Sequence, residues 1–557
     1  MNEVQKMNLK DILGSGFDAC GNTLKDITGV AYDSRKVKGG ELFVAIKGEK
    51  FDGRNFIEDA IKKGAAAVVY EKDGSELLMS KYPDIAWINV DDARDALARI
   101  SNVFYRKPSD EITVLGITGT NGKTTTSYLI KSVLESWGRD VGLIGTINYL
   151  IKDIVYEAPH TTPEAPDFQC LLREMIDRGC SHVVTEVSSH SLSQKRVDYT
   201  SFKVAVFTNL TRDHLDFHNT MEGYFEAKER LFTELMAEGG SAVINIDDPY
   251  GARLSTKLKG HHPKVRVLTC SLENKDADIK ASDIKMTFRG MSFKARIAVE
   301  GNEVIETEIF SPLVGHTNVY NILAALCAAM ALNIPITTIK EGIAMMGLVK
   351  GRFEKVDLGQ DFLAVVDYAH TEDALERLLL TARQLLEAYR FAERTEKIMK
   401  AKRRQFSMPD EKERGKIITV IGCGGNRDRG KRSKMGEIAS KLSDFVIITS
   451  DNPRNEDPKA IIRDIEKGIK SDNYIIIPDR NVAISMAVEL ASSGDIVLVA
   501  GKGHEDYQEI QGIRHNFSDR AALENAIKRT ISRPAFGGGS TFEGLYTQRA
   551  TNKECSC

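Results

Sequence analysis

Gly116-Ile-Thr-Gly-Thr-Asn-Gly-Lys-Thr-Thr-Thr126 decides how this chain is read, because it stands between a strand-length apolar run, ITVLGI from Ile112, and an amphipathic stretch from Lys123 to Trp137. Strand, glycine-rich turn and helix in that order make a phosphate-binding loop. Glycines let backbone N–H groups turn toward phosphate oxygens, and the helix amino terminus adds its dipole. Lys123 brings a positive charge and Thr124 a hydroxyl for Mg²⁺. The strict G-x-x-x-x-G-K-[ST] spacing is missed at one position, where Ile117 stands in place of the first glycine.

Outward from the loop, the apolar runs HVVTEV, VAVFTN and SAVINI alternate with amphipathic helices. Such a series predicts a parallel sheet covered on both faces. A metal-assisted phosphoryl step needs further ligands at the carboxyl ends of neighbouring strands. Glu186, which ends HVVTEV, and His214, which follows VAVFTN, stand at such positions. Between residues 279 and 314 the alternating runs Ile284 to Phe288 and Met291 to Val299 predict an antiparallel patch decorating the central domain. A helical stretch from Asn318 to Met346 follows, and then a second α/β series, FLAVVDYA, KIITVIG, DFVIITS, YIIIPD and DIVLVAG.

The fold class is therefore α/β with three domains. Residues 1–109 carry short apolar runs (Glu41 to Ile46, Ala65 to Tyr70, Ile85 to Val90) and end at the linker Tyr105-Arg-Lys-Pro-Ser-Asp. Residues 110–347 form the central P-loop-type parallel sheet with helices on both faces, and residues 348–534 a C-terminal Rossmann-like α/β domain. The mixed-charge stretch from Thr381 to Gly415 reads as a solvated helical extension, and residues 535–557, with three consecutive glycines and no periodicity, as a flexible tail.

Composition excludes several classes. At 557 residues, 42% hydrophobic and 28% charged, the chain is too apolar for disorder and too polar for a membrane bundle. Its 76 basic and 79 acidic residues nearly cancel, so no global positive field argues for nucleic acid. The eight cysteines lack C-x-x-C pairing, which suits a reducing cytosol better than a disulfide or zinc framework. The first residues lack the apolar core of a signal peptide, and the run Ile322 to Leu332 is too short to span a bilayer. A cytoplasmic protein without membrane insertion is expected.

Seven segments occur in the order found in Mur ligases: Gly119-Thr-Asn-Gly-Lys-Thr-Thr, Thr185-Glu-Val-Ser-Ser-His190, Asn209-Leu-Thr-Arg-Asp-His214, Gly351-Arg-Phe-Glu354, Asp367-Tyr-Ala-His370, Asp451-Asn-Pro-Arg454 and Gly501-Lys-Gly-His-Glu-Asp506. From about Asp33 to Arg520 the chain resembles that family. The resemblance implies domains that bind a UDP-sugar peptide, ATP and an incoming amino acid in turn. It implies an ATP-dependent, ADP-forming amide ligation in peptidoglycan precursor synthesis. Meso-2,6-diaminopimelate would be added to UDP-N-acetylmuramoyl-L-alanyl-D-glutamate through an acyl phosphate, with a monomer as the expected state.

By the same resemblance, Gly119, Thr120, Asn121, Gly122, Lys123, Thr124, Thr125, Asn318, Arg352 and Asp367 would hold ATP. Thr124, Glu186, His214 and Lys228 would serve Mg²⁺, and Lys123, Lys228 and His214 would be catalytic. Lys228, in Glu226-Ala-Lys-Glu-Arg-Leu-Phe232, matches the lysine that the family carbamylates, which places a carboxylate where an ammonium would repel the metal. Ser34, Thr161, Thr162, Ser188, Gln194 and Arg196 match positions around the UDP-sugar peptide. Arg427, Asn452, Arg454, Gly501 and Glu505 match the amino-acid site, where Arg454 would pair the second carboxylate that lysine lacks.

Two other readings are a ligase of the same family that adds L-lysine and a noncatalytic scaffold that docks through the basic extension. The intact set Lys123, Thr124, Glu186 and His214 counts against the scaffold. Two departures from the family pattern, Lys350 before Gly351-Arg352 and Glu372 after the Asp367 segment, replace prolines that family members often carry.

Overall fold

The phosphate-loop strand, Thr113–Thr118, runs through the middle of an eleven-stranded sheet with His182–Glu186 on one side and Phe202–Phe207 on the other. The computed structural model describes residues 6–48, 51–71, 76–274, 276–298, 303–347, 349–404 and 415–532, without the side chains of 76, 77 and 392–404. The predicted tail, residues 535–557, lies outside the described residues. The chain divides into two compact units, residues 1–352 and 353–557.

In the first unit, the strands Val141–Ile144, His182–Glu186, Thr113–Thr118, Phe202–Phe207, Met236–Asn245 and Arg266–Ser271 pair in parallel in that spatial order. Alternate residues of the loop strand serve opposite faces, as a pleated strand requires. Leu115 and Ile117 pack with Leu129 and Ile322, while Val114 packs in a second cluster with Phe168 and Phe225. Register sets Glu186 beside Ile117 and Phe207 beside Thr118, so the segments following all three strands emerge at one edge of the sheet. A crevice outside the carboxyl ends of parallel strands is where open α/β sheets bind ligands.

The predicted antiparallel patch is the sheet's own margin: Ile279–Thr287 joins Arg266–Ser271 in parallel, and Gly290–Ala298 and Val304–Ser311 then add antiparallel. The predicted helical stretch from Asn318 to Met346 is two helices, His316–Ala331 and Ile336–Met345. Asn333 at φ +56° and Pro335, which has no N–H to donate, interrupt what hydrophobicity alone reads as continuous.

The same unit contains a five-stranded sheet of Asp18–Cys20, Ala86–Val90, Ala67–Glu71, Leu42–Val44 and Val30–Ala31. The linker after it turns sharply at Arg106 and Lys107, both in the left-handed region, and enters a short 3-10 turn at Pro108–Asp110. Tyr32 donates to Asp167 of the helix Ala165–Asp177 at 2.6 Å, and Lys195 bridges Asp92 at 2.9 Å and Asp95 at 3.1 Å.

The second unit has a six-stranded sheet in the order Glu354–Val356, Leu363–Asp367, Ile496–Ala500, Ile417–Ile421, Phe445–Ile448, Tyr474–Ile476, parallel except at its first strand. The charged stretch expected from Thr381 to Gly415 is helical as far as Arg404, in the helix Glu372–Arg404, whose earlier turns bury Leu375, Leu379 and Leu386, and residues 405–414 lie outside the described residues. The six described cysteines, Cys20, Cys170, Cys180, Cys270, Cys327 and Cys423, are unbridged.

Candidate active site

The loop is shaped by the segment that follows the neighbouring strand. Thr208 donates to Asn121 O at 2.6 Å, Asn209 Nδ2 donates to the same carbonyl at 3.1 Å, and Asn209 Oδ1 accepts from Asn121 N at 2.9 Å. Gly119, at φ +145°, passes so close that a Cβ there would lie 1.9 Å from Thr208 Oγ1. Lys123 folds over the loop and donates to Gly119 O at 2.9 Å and Thr120 O at 3.0 Å. Lys228, 1% exposed on the helix Met221–Thr233, donates to that same Gly119 O at 3.0 Å and lies over the Tyr224 ring at 4.5 Å.

Two ammonium groups thus converge on one carbonyl. Burial pulls both lysines below their ordinary pKa, Lys228 far below, and the Lys123 charge lowers Lys228 further. The Arg352 guanidinium depresses Lys123 further. Lys123 at the amino end of the helix Lys123–Ser136, with the Arg352 charge acting on it, makes a site for an anion.

Glu186 is fully buried beside this cluster, and among the described residues it makes no ion pair. Its carboxylate accepts from Thr124 Oγ1 at 3.0 Å, Thr146 N at 2.9 Å and Thr146 Oγ1 at 2.9 Å. A buried carboxylate ringed by hydroxyls is a hard oxygen donor set of the kind that suits Mg²⁺. Among the described residues no three His, Cys, Asp or Glu side chains gather into a ligand sphere, so an ion here would need oxygens from a bound phosphate or a modified Lys228.

His214 takes a left-handed conformation, φ +51°, at the start of the helix Leu215–His218. Its ring stands edge-on to His190 at 4.7 Å, and His190 packs on Phe217 at 4.3 Å. His218 completes the group: its Nε2 is 2.9 Å from Ser189 Oγ and its ring 4.9 Å from that of Tyr224. The desolvated face of His214 lowers its pKa, the Asp213 carboxylate opposes this, and Lys123 and Lys228 reinforce it. His214 therefore favours the neutral imidazole that can ligate or accept.

Thr161, Thr162, Ser188, Gln194 and Arg196 form a connected group. Thr162 Oγ1 donates to Glu186 O at 2.8 Å and accepts from Ser188 N at 3.1 Å. Arg196 donates to Thr162 O at 2.9 Å and Gln194 Oε1 at 2.6 Å, and it pairs with Glu164 at 3.0 Å. Thr161 meets Thr146 at 3.2 Å. Ser34 is placed apart, buried at a 3-10 turn of the smaller sheet, where its carbonyl accepts from Lys63 at 3.2 Å. Asn318 reaches the loop through Asn321, which donates to it at 2.9 Å and accepts from Thr126 at 3.3 Å.

In the second unit, Asp367 ends its strand with one carboxylate oxygen accepting from Phe353 N at 2.6 Å and the other from Ala369 N at 2.8 Å. Gly501 N donates to Asp367 O at 3.0 Å. Asn452, buried, donates to Glu505 Oε2 at 2.7 Å. Arg454, at φ +51°, donates to Gly425 O at 2.8 Å, and its Nε lies 3.5 Å from Glu509. A Cβ on Gly424 would lie 2.9 Å from Arg454 Nη1, so the turn leading to the exposed Arg427 rests on the Arg454 side chain. The structure thus gathers Asn452 and Arg454, which follow the strand Phe445–Ile448, with Gly501 and Glu505, which follow Ile496–Ala500, at one edge of the sheet, and Arg427 lies on the turn after the strand between them.

Several residues of these networks have no role in the sequence reading. Thr146, Asn321 and Tyr224 lie outside the quoted segments. His190 and Lys502 lie inside them, at Ser-Ser-His190 and Gly-Lys502-Gly, as the only signal of their importance.

Three family models match the chain: the Mur ligase family catalytic domain over residues 26–105, the Mur ligase middle domain over 117–329, and the Mur ligase glutamate ligase domain over 393–503. The chain belongs to the Mur ligase family. It is similar to the UDP-N-acetylmuramoyl-L-alanyl-D-glutamate--2,6-diaminopimelate ligase of Caldanaerobacter subterraneus, 44% identical over 94% of this chain and 99% of that one. The ligase of the same name from Bacillus licheniformis is 42% identical over 90% and 95%. A solved structure of a ligase of that name matches with TM-score 0.65 and 32% identity over 95% of this chain and 100% of the other. The three-domain α/β fold expected from the sequence is the fold of this Mur ligase.

Proposed function

We propose that the chain joins 2,6-diaminopimelate, in its meso form, to UDP-N-acetylmuramoyl-L-alanyl-D-glutamate with ATP cleaved to ADP and phosphate. The observation that carries the reading is the convergence of Lys123 and Lys228 on Gly119 O beside the buried Glu186. Carboxylate and triphosphate repel each other, and a site that lets them react must hold positive charge and hard metal ligands together. The relatives named above support the choice of substrates.

In this reading the side-chain carboxylate of the D-glutamyl residue attacks the γ-phosphorus, ADP leaves, and an acyl phosphate forms. The diaminopimelate amine then attacks the acyl carbon, and phosphate leaves from the tetrahedral intermediate. Lys123 neutralises charge on the transferred group, and the loop N–H groups from Gly119 to Thr125 orient the phosphates, with Asn318, Arg352 and Asp367 completing the nucleotide contacts. Thr124, Glu186 and His214 would hold Mg²⁺, which when bound supplies Lewis-acid neutralisation of the phosphate oxygens.

Lys228 completes that set as a carbamate. A neutral lysine amine adds to CO₂, forming the N–C bond and releasing one proton. The burial that depresses the Lys228 pKa supplies the neutral amine. Thr161, Thr162, Ser188, Gln194 and Arg196, with Ser34, are assigned to the UDP-sugar peptide, and Arg427, Asn452, Arg454, Gly501 and Glu505 to diaminopimelate. Residues 1–109, 110–347 and 348–534 take the three substrates in that order. A cytoplasmic location suits a reaction that consumes ATP and a UDP-linked precursor.

The test is oxygen transfer. With ¹⁸O in the D-glutamyl side-chain carboxylate, one labelled oxygen is expected in the released phosphate. Phosphate free of label would contradict the acyl-phosphate route.

A further inference from the structure

Behind the proposed amino-acid site lies a lysine that no part of the chemistry above uses. Lys502 is completely buried, a costly state for an ammonium without partners. Its Nζ donates to Asn452 Oδ1 at 3.1 Å, Glu505 Oε2 at 3.3 Å and Tyr507 O at 2.5 Å, and Asp451 lies 3.9 Å away. The first two partners come from different segments of the unit, and both are residues assigned to diaminopimelate.

The geometry fixes more than distance. Asn452 Oδ1 accepts from both Lys502 and Glu509 N, the latter at 2.9 Å, so its Nδ2 is committed to Glu505 Oε2 at 2.7 Å. An amide can flip end for end unless its partners forbid it, and an ammonium on the oxygen forbids it. Glu505 in turn receives Lys502 and Asn452 on the same oxygen, Oε2, while its Oε1 accepts no hydrogen bond among the described residues and can meet a substrate ammonium.

We propose that Lys502 is a positioning residue for the amino-acid substrate: one buried ammonium sets the amide orientation of Asn452 and holds Glu505 in place and ionised. This rests on the reading that Asn452 and Glu505 meet that substrate. Burial raises the Glu505 pKa and Lys502 acts most strongly against the rise. The other charged groups facing Glu505 are Asp451, which raises it, and Arg480, itself paired to Asp519 at 2.7 Å; Tyr507 is the further titratable neighbour.

The experiment measures KM for meso-diaminopimelate, ATP and the UDP-linked dipeptide as functions of pH in the full chain. Lys502→Met is expected to raise KM for diaminopimelate by about 10- to 100-fold, as loss of an orienting partner does, with the other two KM values unchanged. Without its counter-charge Glu505 is expected to keep its proton to higher pH than in the unmodified protein, so that KM for diaminopimelate, taken relative to the unmodified protein at each pH, falls as pH rises. A purely structural lysine would give no such slope. A flat profile in a folded Lys502→Met overturns the proposal.

Lys502→Met alone leaves a buried carboxylate uncompensated and can fail to fold, whereas Lys502→Met with Glu505→Gln removes both charges together. Because Lys502 acts in part through Glu505, the double variant is expected to show a fold-change well below the product of the two single ones, and fold-changes that multiply overturn the proposal. Asn452→Ala and Glu505→Gln separate the two levels. If both leave KM for diaminopimelate unchanged, the site reading is wrong and the proposal falls with it. If both raise it while the Lys502 variants do not, only the proposal falls.

Discussion

At the scale of single residues, the site is defined by charges held where water cannot screen them. Lys123→Ala removes an ammonium that touches only loop carbonyls, so folding should survive while ligation falls by at least about 10²-fold, read as phosphate release beside an unchanged melting curve. Near-normal turnover would remove Lys123 from the chemistry. Lys228→Ala should be nearly inactive and partly restored by short carboxylates, and Lys228→Arg should be no better, because a second cation beside Lys123 cannot do a carbamate's work. Enzyme stripped of CO₂ should regain activity on addition of bicarbonate, because burial keeps the Lys228 amine in the neutral form that reacts with CO₂. Substantial activity in Lys228→Arg would leave Lys228 as an ordinary buried lysine.

Most residues in these predictions were legible in the sequence because they belong to short ordered segments, Gly119-Thr-Asn-Gly-Lys-Thr-Thr above all. Thr146 and Tyr224 were not, since a hydroxyl on a buried carboxylate and a ring beneath an ammonium are relations between distant parts of the chain. Lys502 was quoted as part of a segment, yet its role depends on facing Asn452, fifty residues away in sequence.

At the scale of elements, strand-length apolar runs between amphipathic stretches specified the parallel sheets, and the strands beside the loop fall where those runs end. Hydropathy failed where backbone geometry intervenes, as at Asn333 and Pro335, which divide one apolar stretch into two helices. Close helix contacts were equally invisible. Gly436, within the helix Gly430–Leu442, approaches the helix Pro458–Glu466 so closely that a Cβ would lie 2.1 Å from Ile465 O. On an exposed helix Gly→Ala stabilises by about 1 kcal/mol. Here the clash is with backbone, and Gly436→Ala should destabilise by about 1–3 kcal/mol in denaturant unfolding. A stabilised variant would mean that the two helices separate at little cost.

At the scale of the whole molecule, one chain on the proposed reading has to recognise three chemically different substrates, and the amino acid is the one with the nearest competitor. Meso-diaminopimelate carries a second carboxylate and ammonium at the end where L-lysine has only an amine. On the proposed assignment Arg454 would meet that carboxylate with two parallel N–H groups, and Glu505, held by Asn452, would meet the ammonium. A site that loses an intended polar partner can discriminate by about 10⁴-fold. Arg454→Ala should therefore erode the preference chiefly by weakening diaminopimelate, with turnover of L-lysine little changed. The decisive measurement is kcat/KM for ADP formation with ATP and UDP-N-acetylmuramoyl-L-alanyl-D-glutamate, taken with meso-diaminopimelate and with L-lysine in turn. Diaminopimelate is expected to be used by orders of magnitude the better of the two, and equal values, or ADP formation with neither, would contradict the account.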